Sequence, residues 1–254
     1  MPSNLECLGL GVADQAELER LLGVAVAAAR PLGEVDGVSV LRWEDPSGAR
    51  LIMSMQGGQL LDLLPSYAGT PGAQLANVRV ASDEVAFADV MEGDEQVTML
   101  ALELEQRRLL PAEGVAAASA TVVALGVDVT VHADEEAFAA SDASLLQDPG
   151  EDGPGEPPPH FAEQGWSWPP RMAAESFISY GVFGAAEDAQ AYARLIGTVQ
   201  HARRLRVDAT GQDFLSARVR TAGFEVDLCL PPGEHNLQPG NVIGGTVFLV
   251  GSLA

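Results

Sequence analysis

The strongest constraint on this fold is a recurring pattern of short apolar segments, each bounded by Gly, Pro or acidic residues. Residues 224–230 (FEVDLCL) alternate apolar and polar with a period of two, which is the period of a strand with one covered face. Ala222-Gly223 is a tight turn that pairs them with residues 214–220 (FLSARVR). Residues 197–202 are strand-like, and Thr210-Gly211 is a further turn. Residues 242–253 carry Gly244, Gly245 and Gly251, which suit bulges or sharp bends. Antiparallel strands with glycine bends predict a small closed barrel.

The middle of the chain reads the same way. Residues 77–81, 85–90, 97–104 and 120–131 carry alternating or continuous apolar character, with acidic turns between the earlier ones, and the β-branched start of 97–104 favours a strand there. Residues 134–140 suit a short helix. At the N-terminus, residues 5–12 read as a strand. Asp14 with Glu17 three positions on has the spacing of a capping box. Leu18, Leu21, Leu22 and Ala25 follow with helical period, and Pro31 and Gly33 end the helix. Residues 38–43 and 49–55 form a hairpin around Asp45-Pro46-Ser47-Gly48, in which Pro pre-sets φ and Gly accepts a positive φ. Residues 59–64 add a further strand. No internal repeat is evident.

The expected fold class is therefore α+β, mainly antiparallel β, with an N-terminal βαββ(β) module and a C-terminal barrel. The expected division is a domain over residues 1–146, a linker or long loop over 147–170, and a β-barrel-like domain over 171–254. The linker begins QDPGEDGPGEPPP, which lacks apolar residues and is dominated by Pro, Gly and acids.

Two resemblances attach to these segments. The βαββ(β) order, with the hairpin WEDPSGARLIM, resembles one module of the vicinal-oxygen-chelate (glyoxalase-like) fold. That family holds a metal with His, Gln or Glu on its strands. Residues 5–12 offer only Glu6 and Cys7, so the resemblance implies the fold without the metal centre. The last sixty or so residues resemble an OB-type barrel at the level of pattern.

Charge narrows the function. The 254 residues carry 14 basic and 36 acidic side chains, a formal net charge of -22. Every basic residue is Arg. Without Lys, Schiff-base chemistry and the lysine of a phosphate-binding loop are excluded. A field this negative opposes nucleic acid and anionic membranes and favours basic partners. No apolar run approaches a membrane span, and the apolar stretch 21–29 has no basic leader before it, so no membrane association is expected and a cytoplasmic location is. Cys7 and Cys229 are then expected to be a reduced core pair. The charge is also uneven. From residue 190 onward six Arg face five acids, whereas the first 189 residues hold eight Arg against 31 acids.

Candidate sites follow from these features. Arg203, Arg204, Arg206, Arg218 and Arg220 could meet an anionic ligand, or they could pair with acids of the same chain. Trp166, Trp168 and Arg171 could form a lid or docking element, or fold back onto the barrel. His132 with Asp134 is a weak metal candidate, and the alternative is a strand end followed by a helix cap. No cofactor is expected. Gly9-Leu10-Gly11 lacks the third glycine of a dinucleotide loop, no Gly-x-Ser-x-Gly elbow is present, and no catalytic residues can be assigned.

These features point to a non-enzymatic acidic binding or accessory protein that recognises a protein partner and could self-associate. The alternatives are a small-molecule binder or enzyme with an inter-domain pocket, and OB-type nucleic-acid binding.

Overall fold

The computed structural model describes residues 2–146, 155–233 and 236–254. The architecture is mostly β, with two sheets and few helices. Helix α1 (Gln15–Ala28) starts as its sequence dictates: Asp14 Oδ1 accepts from the Glu17 amide at 2.9 Å, and Glu17 reaches back to the Ala13 amide at 2.8 Å. A four-stranded antiparallel meander follows, made of β1 (Arg30–Val35), β2 (Val38–Glu44), β3 (Ala49–Gln56) and β4 (Gln59–Tyr67). Pro31 and Gly33 lie in β1, an edge strand, where a missing amide donor is tolerated.

The expected first strand is absent. Residues 5–12 instead contain a single 3-10 turn, Glu6–Leu8. Ser3 and Glu6 bond reciprocally, the Ser3 amide to Glu6 Oε2 at 2.6 Å and the Glu6 amide to Ser3 Oγ at 3.2 Å. This box closes a turn where the apolar run had suggested an extended segment. Cys7, Leu8 and Leu10 are fully buried, so the apolar run is explained by packing rather than by strand pairing. The N-terminal order is accordingly one helix and four strands, and the leading strand of the βαββ(β) module does not form.

The second sheet has nine strands. These are β5 (Ala73–Val80), β6 (Ala86–Glu92), β7 (Glu95–Leu104), β8 (Val115–His132), β9 (Ser176–Ser179), β10 (Tyr192–Arg206), β11 (Asp213–Thr221), β12 (Phe224–Leu230) and β13 (Val242–Leu253). Short helices α2 (Glu135–Ala140) and α3 (Pro159–Gln164) lie between β8 and β9. Two long strands, β8 and β13, run antiparallel from Ala120–Leu253 to His132–Val242 and form the spine. One half of the spine is closed by β5, β6 and β7, and the other by β10, β11 and β12. The pairing scheme of β5–β8 repeats in β10–β13, including one short parallel contact in each half, β7 with β13 and β12 with β8. The repeat is one of topology. Because β8 is the fifth member of the C-terminal circuit, strands from residue 171 onward do not close by themselves, and strands before residue 147 and after residue 170 belong to one sheet.

The spine explains the unbroken apolar run 122–125. Val122 and Ala124 face the interior cluster shared with Leu100, Leu195 and Leu228. Val123 and Leu125 face the other way, into a second cluster with Leu8, Trp43, Tyr67 and Phe214 under the meander and α1. A strand covered on both faces has no polar side to alternate with.

Polar side chains join the two sheets. Residues 68–72 connect β4 to β5 and lie across β11 and β12. Arg218 donates to the Thr70 carbonyl at 2.7 Å and to Asp227 at 2.9 Å, and Asp227 accepts from the Thr70 amide at 2.9 Å. A β-carbon at Gly69 would overlap Asp227, and one at Gly72 would overlap Arg218, so this crossing requires glycine for space. On the other side of the meander, fully buried Glu105 accepts from Arg50 at 3.0 Å and from Ser66 at 2.7 Å.

Candidate functional site

The five candidate arginines of the C-terminal region are engaged within the chain. Arg203 donates to the Tyr67 hydroxyl at 2.7 Å. Arg204 and Arg206 share Asp213, at 2.9 and 3.2 Å. Arg218 holds Glu225 and Asp227, both at 2.9 Å. Arg220 meets Glu175 at 2.7 Å and holds its carboxyl below the usual carboxylate range. The alternating register of β11 places Arg218 and Arg220 on one face, yet each goes to a different acid.

The other candidates also have structural partners. Arg171 donates to the Ser141 carbonyl at 2.7 Å and to the Ser144 hydroxyl. Trp166 and Trp168 pack edge-to-face on Phe161, and Trp166 remains 56% exposed. The part of the acidic linker at 147–154 lies outside the described residues. Asp134 caps α2 through the Ala137 amide at 2.8 Å. His132 packs on Phe138 and hydrogen-bonds Thr130 at 3.1 Å, and burial lowers its pKa. Among the described residues no three His, Cys, Asp or Glu side chains are grouped as metal ligands. Cys7 and Cys229 are free and buried in the same cluster. Burial pushes Cys7 up to about 12 and raises Cys229 well above a normal thiol, so neither is poised as a nucleophile.

A different surface has the character of a site. Between β9 and β10 the chain makes two 3-10 turns, Tyr180–Val182 and Ala186–Asp188. Val182, Ala186 and Ala189 turn inward onto Val85, Phe87, Ala101 and Ala191. Gly181 sits tightly against the Gln190 carbonyl and Ala101, which leaves no room for a β-carbon and fixes the loop on β7. Residues three apart in a 3-10 turn share one side, and Tyr180 and Phe183 both point outward. Phe183 is 73% exposed. With Tyr192, which packs on Phe248, they line a groove of about 440 Å³ whose rim carries Asp188.

The wall formed by Asp188, Ala189 and Gln190 is shared with a second groove of about 620 Å³. That groove is lined by Asp83 and Glu84 from the β5–β6 turn and by Glu187 and Asp188. Among the described residues no Arg or His lines either groove. Nearby on β7, Glu103 is raised to about 7, first by burial and then by the repulsion of Glu84 and Asp62, against the attraction of Arg107.

Local sequence does not single out this segment. Its available signal was three aromatics, Tyr180, Phe183 and Tyr192, in a segment with Gly181, Gly184 and several alanines but no helical apolar period.

The chain matches no family profile, and no curated protein or solved structure is significantly similar to it.

Proposed function

We propose that this chain is a non-enzymatic, acidic binding protein of the cytoplasm that recognises a basic surface on a protein partner. One observation carries the reading: the arginines best placed to meet an anionic ligand are satisfied by this chain's own carboxylates, carbonyls and a tyrosine hydroxyl. The formal net charge of -22, which already counts these arginines, sets the sign of the field outside the protein. Such a field accelerates encounter with cationic surfaces and repels polyanions.

The OB-type nucleic-acid reading depends on those same arginines being available to phosphates. Arg218 is buried in its ion pairs, and the exposed Arg204, Arg206 and Arg220 already meet carboxylates of the chain, which weakens that support; the aromatic groove is rimmed by carboxylate rather than by cations. An enzymatic reading would need a reactive group held by a base or metal, and the buried, high-pKa thiols do not supply one.

The test is equilibrium titration of the full chain with three labelled probes: a basic peptide, its acidic counterpart and single-stranded DNA. The reading expects saturable one-to-one binding of the basic peptide alone, weakening strongly as salt shortens the Debye length from about 30 to about 8 Å. Binding of the DNA, or basic-peptide binding indifferent to salt, would refute it.

A further inference from the structure

We infer that the partner's point of attachment is the groove of Tyr180, Phe183 and Tyr192, and that its occupant is an arginine side chain within a basic protein segment. The inference rests on the proposed function and gives it a location. An exposed phenylalanine beside two partly exposed tyrosines is an apolar surface left facing water. Aromatic faces attract cations through their quadrupole, and guanidinium is the best fit, because it is planar and weakly hydrated. Asp188 on the rim offers the guanidinium a carboxylate, and two parallel hydrogen bonds are the preferred geometry for that pair.

The adjoining cleft then selects the flanking sequence. Asp83, Glu84 and Glu187 lie beyond the shared Asp188 wall, so a neighbouring basic residue of the same segment would face carboxylates. The inward packing of Val182, Ala186 and Ala189 holds the loop in place before any ligand arrives, which lowers the ordering cost of binding. Charge complementarity separates this occupant from others. An anionic membrane would meet the rim carboxylates, and an acidic or purely apolar segment would leave them unpaired.

The test uses the full chain and a short peptide with one central Arg and further basic residues beside it, and the same peptide with citrulline, neutral but of nearly the same shape, at the centre. Phe183→Ala removes an exposed ring and Asp188→Asn removes the rim charge. Asp94→Asn, in the β6–β7 hairpin turn, removes an equal charge that lines neither groove. Phe183→Ala should weaken Arg-peptide binding roughly fivefold, the scale of a single cation–π contact. Asp188→Asn should weaken it several-fold, and Asp94→Asn should leave it unchanged. The citrulline peptide should bind weakly and be insensitive to Phe183→Ala. Unchanged unfolding midpoints in the variants confirm that the fold is intact.

If the basic peptide binds the wild type but both groove variants match it, the groove assignment falls and the general function stands. If no basic peptide binds, both fall. If Phe183→Ala abolishes self-association or capture by neutral lipid vesicles while peptide binding is unaffected, the groove belongs to a second copy or to a membrane, and the inference is overturned.

Discussion

Replacing Glu105 by Gln changes one atom and removes one buried charge. Its side chain is fully enclosed between the meander and β7, with Arg50 Nη1 at 3.0 Å, Ser66 Oγ at 2.7 Å and Arg42 Nη1 at 3.7 Å. Its Oε2 has no hydrogen-bond partner and rests on the Arg42 charge alone. Breaking a buried ion pair by removing one partner costs about 3–5 kcal/mol, because the remaining charge stays buried. Here the cost should be smaller. Arg50 keeps Glu44 at 2.7 Å, and Arg42 is one-third exposed and can turn to water. We therefore expect a loss of about 2–3 kcal/mol. Urea unfolding measures it: with a slope near 3 kcal/mol/M the midpoint should fall by about 1 M and the slope should not change. Combining Glu105→Gln with Arg50→Met should cost less than the sum of the two single changes, since the second removes the charge the first leaves uncompensated. A loss below about 0.5 kcal/mol for Glu105→Gln, or strict additivity in the pair, would refute the assignment of this carboxylate as the clamp between the sheets.

Two further predictions concern titratable groups. Glu103 loses its proton near 4.5 when unfolded and about 7 when folded. Between those values the folded chain holds a proton the unfolded chain has released, so this group's contribution to stability is present at low pH and is lost as pH rises through the window. Glu103→Gln should flatten that slope and, allowing for screening of a partly exposed group, stabilise the protein by about 1 kcal/mol above the window; an unchanged slope in chemical denaturation across that range would contradict the burial argument. Both thiols should be inert to a disulfide reagent in the native state and react together on unfolding, because burial raises Cys7 and Cys229; rapid modification of one in the folded protein would show that the first turn opens.

The strands were legible where the sequence has local punctuation. The hairpin at Gly223 and the capping pair Asp14 and Glu17 each rest on contacts within a few residues. The first segment misled because an apolar run of this length suits either a strand or a packed turn, and the decisive Ser3–Glu6 exchange is a two-residue signal at its start. The arginines illustrate the same limit. Their number and spacing could be read directly, but Arg220 meets Glu175 and Arg203 meets Tyr67 across long stretches of chain. The groove was missed because exposure is a property of the finished surface. Phe183 and Phe214 are the same residue type in β-rich surroundings, and one is open while the other is fully buried.

By itself the sequence determined that this chain would be acidic, lysine-free and built largely of strands separated by local turns, because each of those features depends on composition or on neighbours in the chain. Tertiary structure alone decided that β8 would cross to complete a circuit with β10–β13, that the C-terminal arginines would be engaged by groups of the same chain, and that three aromatics would remain on the surface beside carboxylates. Those outcomes depend on which distant segments share a face, and no local pattern encodes that.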